Sequence, residues 1–173
     1  MTGVSYHPLY DSYHCVFRSC CLLSYKYDID IDINRFRIID FYFLLPFFIN
    51  DIRLSGVLRD VRREKDLNKI PLPYQHVPSR KSLFRALVPV QDVALRHQVA
   101  VGLIDGDAFR GGRFKRGLNR VPEGSFHQRV NEYVVENEKI LEFLVDDAQS
   151  VPIYGRGGLK DRSGLMEYKY DAV

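Results

Sequence analysis

The stretch from Phe36 to Leu45 constrains this chain more than any other. Phe36, Ile39, Tyr42, Phe43 and Leu44 recur at helical spacing, and Ile38, Phe41 and Leu45 fill the remaining sides. A helix built from them is apolar on nearly every face until Pro46 stops it. Such a helix cannot rest at a surface, so it is predicted to form the centre of the fold with other elements wrapped around it. The most apolar run, Phe41 to Ile49, is far short of the roughly 20 residues that a spanning helix needs. The expectation is therefore a soluble chain with no membrane association, folded as one domain over residues 1–173. An apolar fraction of 46% with 11 Tyr and 11 Phe supplies the side chains to surround that centre.

Charge is the second constraint, through its arrangement and not its total of +3. Residues 53–69 hold six Lys or Arg against three acids, and residues 79–120 hold nine against three. From Val121 to Ser150 the balance reverses, with seven acids facing only Arg129 and Lys139. A basic middle and an acidic later segment imply two kinds of surface. Cys15, Cys20 and Cys21 crowd into one segment with neither a disulfide framework nor a zinc spacing, which points to a reducing, cytoplasmic setting. Met1 to Pro8 shows no basic region followed by an apolar stretch, so no secretory signal is expected.

Local signals place the elements. Asp11 is a plausible N-cap for a helix through Val16, Phe17, Cys20 and Leu23. Asp28 to Asn34 alternates Asp with Ile, which fits either a short strand or an acidic lead-in to the next helix. Ser79 caps a helix that is predicted to stop near Pro89, with a second helix following through Val93, Ala94, His97 and Val101. Gly102-Leu103-Ile104 then leads to Asp105-Gly106-Asp107, Gly111-Gly112 and Arg113-Phe114-Lys115, which reads as a hairpin with strands at 108–110 and 113–115. Together these predict a winged helix–turn–helix core in a mainly α fold with a small β component (α+β). An amphipathic helix through Val130, Tyr133, Val134, Ile140, Leu141, Leu144 and Val145 is added, and a strand-like alternation over Leu165 to Tyr170.

On that reading the wing carries Arg110, Arg113, Lys115 and Arg116, with Arg120 just after it, as candidate contacts to double-stranded DNA or to an acidic partner. Gln91, Arg96 and Gln98 would lie on the polar side of the recognition helix, where Gln and Arg can read base edges, although Asp92 opposes close contact. His7, Asp11 and His14 lack a metal-ligand spacing and are better used in capping and packing, so no metal site and no cofactor are predicted. His76, His97 and His127 accompany no nucleophile motif, and Gly155-Arg156-Gly157-Gly158 lacks a strand-to-helix context for phosphate and reads as a flexible loop.

Three blocks carry a family resemblance. Tyr6-His7-Pro8 with Asp11-Ser12-Tyr13-His14-Cys15 and Phe17-Arg18 form the first, and Asn34-Arg35-Phe36-Arg37-Ile38-Ile39-Asp40 running on through Phe41-Tyr42-Phe43-Leu44-Leu45-Pro46 the second. The third is Leu83-Phe84-Arg85-Ala86-Leu87 with Val90-Gln91, Ala94-Leu95 and Gly102-Leu103-Ile104. This pattern resembles the middle-component proteins of bacterial ABC-three-component systems. The resemblance implies a non-catalytic adaptor that links a large SMC-like ABC ATPase to a variable effector encoded in the same operon, in defence against phage or plasmids. It further implies docking on the ATPase head or neck, help in engaging DNA, and retention of the effector until foreign DNA is sensed; a homodimer is a separate expectation for the chain. The alternative reading of the residues is a stand-alone winged-helix transcription regulator that binds operator DNA as a dimer.

Overall fold

The computed structural model describes residues 7–74 and 77–167. The apolar helix takes the predicted place. It is α2 (Ile33–Leu44), with Phe36, Ile38, Ile39, Phe41, Tyr42 and Phe43 all buried, and Pro46 turns the chain into a 3-10 segment over Pro46–Asp51. Around it stand α1 (Ser12–Tyr25), the longer α4 (Arg80–Ala100) and α6 (Ser125–Glu136), and the buried side chains form one contiguous apolar cluster. Aromatic edges lock these helices: Phe41 meets Phe84 at 5.6 Å between ring centroids, and Tyr133 meets Phe17 at 5.3 Å and Phe43 at 5.6 Å. No helix among the described residues is long and apolar enough to cross a membrane.

Capping is where sequence and structure agree most closely. The Asp11 carboxylate accepts from the Tyr13 amide at 2.8 Å to start α1, and the Ser79 hydroxyl accepts from Ser82 at 3.2 Å to start α4. Asp28 to Asn34 turns out to be both alternatives. Asp30–Asp32 is a strand, β1, and the carboxylate of its last residue then accepts from the Asn34 amide at 2.7 Å to cap α2.

The helix–turn–helix is a correction. Residues 80–100 form one continuous helix with Pro89 inside it. Leu83, Phe84, Leu87, Gln91, Ala94, Leu95 and Gln98 are buried at three- and four-residue spacing on both sides of the proline, so a single stripe faces the core throughout. A proline in a helix interior costs about 3 kcal/mol. Burying each Leu or Phe contributes roughly 1.5–3 kcal/mol, so the stripe outweighs the missing hydrogen bond.

The wing is a second correction. Gly106–Arg110 is a short helix, α5, because the Asp105 carboxylate accepts from the Ala108 amide at 2.8 Å and acts as an N-cap where a hairpin turn was expected. Arg113–Lys115 is indeed a strand, β2, but its antiparallel partner is β1, with Asp30 opposite Lys115, Ile31 opposite Phe114 and Asp32 opposite Arg113. Phe114 stacks on Phe36 at 4.3 Å and anchors this two-stranded sheet to the central helix. After β2, Gly117 lies so close to the Gly102 carbonyl that a Cβ would collide with it, which fixes the path of the following loop.

The basic 53–69 segment contains α3 (Gly56–Glu64). The expected amphipathic helix is bent: α6 ends where the Asn137 side chain donates to the Tyr133 carbonyl at 2.9 Å. The chain resumes in α7 (Glu138–Leu141) and continues through a widened helical turn over Glu142–Asp146 that buries Phe143, Leu144 and Val145. The last helix, α8 (Leu159–Ser163), follows a Gly-rich turn that is tied down: Gly157 N–H donates to the Asp161 carboxylate at 2.8 Å, and Arg162 donates to the Gly157 carbonyl at 2.5 Å. Leu165–Glu167 is not a strand, and Tyr168 to Tyr170 lie outside the described residues.

Candidate functional site

The polar residues separate into an interior set and an exterior set. The interior set is organised by Asp40, the one carboxylate on α2. Arg18 of α1 grips it with two bonds, Nε to Oδ1 at 2.6 Å and Nη2 to Oδ2 at 2.9 Å, and both side chains have 0% exposure. Gln91 of α4 donates to Asp40 Oδ2 at 2.8 Å and to the Arg37 carbonyl at 3.2 Å. A further buried polar contact joins Ser19 to Gln98, whose amide oxygen accepts from the Ser19 hydroxyl at 2.9 Å. Thus α1, α2 and α4 are pinned together by a buried network.

Its electrostatics follow from geometry. Burial alone would disfavour the Arg18 charge, but the facing carboxylate holds the guanidinium above its ordinary range. His14, whose Nδ1 lies 2.6 Å from Arg18 Nη1, is pushed down by burial first and then by that cation, so it is neutral and serves as acceptor. Burial raises the thiols, Cys20 to about 11 and Cys21 to about 12, with Cys15 raised as well, so all three are protonated at neutral pH, and the Cys15 thiol donates to Asp40 Oδ2 at 3.7 Å.

Gln91 and Gln98, expected on an exposed recognition face, are therefore core residues with 0% exposure, and their hydrogen bonds are directed inward. Polar residues on a helix point to water unless a buried partner claims them, and here Asp40 and Ser19 do. Sequence reasoning missed Arg18 and Asp40. The signal was present: Asp40 is the one carboxylate of α2 and sits among Phe36, Ile39, Phe41 and Phe43, where a buried charge demands a buried cation.

The exterior cations are dispersed. Arg110 pairs with Asp107 within α5, and Arg113 reaches across the sheet to Asp30 at 2.8 Å. Arg116 turns inward: it donates to the carbonyls of Leu23 and of Tyr27 and lies 4.6 Å over the Tyr27 ring. Lys115 and Arg120 are exposed near the same end, and Arg96 is exposed on α4. The 53–69 segment is largely neutralised, with Lys65 bound to Glu142 at 2.5 Å and Arg53 to Asp161 at 2.6 Å. His7 accepts from the Leu9 amide and Asp11 caps α1, as capping roles require. His97 and His127 line different clefts, and His76 lies outside the described residues.

A concavity of about 800 Å³ runs along the outer face of α6. Glu123, Glu132 and Glu136 rim it, the last two bonded to Arg129 at 3.5 and 3.2 Å, and Val135 stands in it with 73% of its area exposed. Apolar area bounded by charge is the composition of a protein-docking surface. α6 reaches that position because its opposite side is fastened to α1 through Val130 and Tyr133.

No curated protein and no solved structure matches the chain. The family model described as ABC-three component (ABC-3C) system Middle Component 5 matches residues 4–171, nearly the whole sequence. The chain thus belongs to the ABC-three component system middle component 5 family.

Proposed function

We propose that this middle component is a non-catalytic connector, which holds the SMC-like ABC ATPase and the effector of its system together in a defence complex. The observation that supports this reading is the α6 face, where an exposed valine within an acidic rim offers a partner apolar contact at the centre and charge at the edge. The partner for that face carries a basic, amphipathic segment. Cations also face solvent near the β1–β2 sheet, where Lys115 and Arg120 are exposed while Arg110 and Arg113 are paired with Asp107 and Asp30, and with Arg96 on α4 they suit an acidic subunit surface or DNA.

Co-expression of the tagged chain with the ATPase and effector encoded beside it tests the proposal. Size-exclusion chromatography with light scattering is expected to show a complex of fixed ratio that is lost when the chain is omitted. An ATPase and effector that assemble equally well without it, while the chain elutes alone, would overturn the connector role.

A further inference from the structure

The concavity on α6 has a neighbour of opposite character. On the other flank of that helix, a cleft of about 380 Å³ is bounded by the C-terminal end of α1, the loop after β2 and α6 itself. That volume is within the range of roughly 300–1,000 Å³ of small-ligand sites. Its polar lining is Ser24, Tyr27, Arg116, Arg120, His127 and Asn131, with two arginines and no carboxylate. The two depressions adjoin through His127 and Asn131, which line both: Glu132 and Glu136, each bonded to Arg129, lie on the side of the concavity, and Arg116 and Arg120 on the side of the cleft.

We infer that this cleft binds single-stranded nucleic acid, with a phosphate at Arg120 and a base stacked on the open face of Tyr27.

Three observations carry the assignment. Tyr27 is 71% exposed although Arg116 lies over one face of its ring, which leaves the other face as a stacking platform. Arg116 is held still by its bonds to the carbonyls of Leu23 and Tyr27, so platform and cation are preorganised. Arg120 is exposed and makes no ion pair among the described residues, which leaves its guanidinium for phosphate. His127 and Asn131 stand across the cleft, where they can donate to or accept from a base edge. A duplex keeps its bases stacked within the helix and gives Tyr27 nothing to stack on. An acidic peptide would engage the arginines and leave the ring unused. The cleft shares Arg120, His127 and Asn131 with the surfaces assigned to the connector role, but it is tested with the chain alone, so its failure is distinguishable from failure of the assembled complex.

The test is fluorescence anisotropy with the full chain and a labelled oligothymidylate, beside a duplex of the same length, across a salt series. Binding is expected to favour the single strand. Tyr27→Leu is expected to weaken it about tenfold, whereas Tyr27→Phe, which keeps the ring, binds as the parent does. Arg120→Gln is expected to flatten the salt dependence by about 0.7 in log–log slope, the contribution of one phosphate contact. Arg59→Gln on α3, outside the cleft, is expected to change neither. The inference is overturned by absence of binding at low salt, by equal or tighter binding of the duplex, or by Tyr27→Leu and Arg120→Gln binding as the parent does.

Discussion

Two arginine–aspartate pairs in this molecule have nearly the same closest approach and opposite importance. Arg18 meets Asp40 at 2.6 Å in the core, and Arg113 meets Asp30 at 2.8 Å on the sheet edge. The first pair has no contact with solvent, and removal of either partner strands a charge where water cannot reach it. The second pair keeps its hydration, so water replaces whatever is lost. Burial, and not the chemistry of the pair, decides which one the fold depends on. The same division runs through the whole chain, since Gln91 and Gln98 serve the interior while Lys115 and Arg120 face outward.

The comparison is broken most severely at Asp40. Asp40→Asn is expected to cost about 3–5 kcal/mol in urea unfolding, because Arg18 keeps its charge without a counterion; a cost below 1 kcal/mol would mean that the pair is solvated after all. Gly117→Ala is expected to cost about 2 kcal/mol, since the added methyl collides with the Gly102 carbonyl and the loop toward α6 must shift. Pro89→Ala should act in the opposite direction and raise stability by roughly 1–3 kcal/mol, by restoring a backbone donor in the middle of α4. Loss of stability on that substitution would favour a turn at this position.

A smaller effect concerns pH. The His14 pKa is lowered from its ordinary 6.5, so the unfolded chain binds the proton more readily than the folded one. Its contribution to stability is fully present above pH 6.5 and declines as pH falls below that value. Unfolding midpoints measured on either side of it should therefore fall more in the parent than in His14→Asn, and identical pH dependence would show that His14 is not coupled to the network. The smallest effect is expected of Arg113→Gln, which should leave the unfolding midpoint unchanged within error; a shift as large as that of Asp40→Asn would erase the distinction between the two pairs.

What the sequence made legible were features governed by neighbours along the chain. Asp11 and Ser79 were readable as caps because a cap acts two or three residues away, and α2 was readable because its apolar residues leave it no exposed face. The misreadings arose where contacts distant in sequence outweighed local chemistry. Pro89 is a strong local stop signal, but the buried stripe from Leu83 to Gln98 carries the helix through it. Asp105-Gly106-Asp107 has the composition of a hairpin turn, but β1 claims β2 as its partner and leaves 106–110 to coil as α5. Arg116 was read as a surface cation, while much of its bonding goes to backbone carbonyls near the end of α1. The exposed members of the candidate site, Arg96, Lys115 and Arg120, were visible from charge alone, but the α6 concavity required the fold to show which side of that helix remains uncovered.

Hydrogen–deuterium exchange of the chain, alone and assembled with its ATPase and effector, tests most directly the claim that the outer face of α6 joins the complex while the interior network only holds the fold. The account predicts new protection over residues 123–136 on assembly, with the buried stripe of α4 protected equally in both states. Unchanged exchange across α6 in a complex that has formed would contradict it.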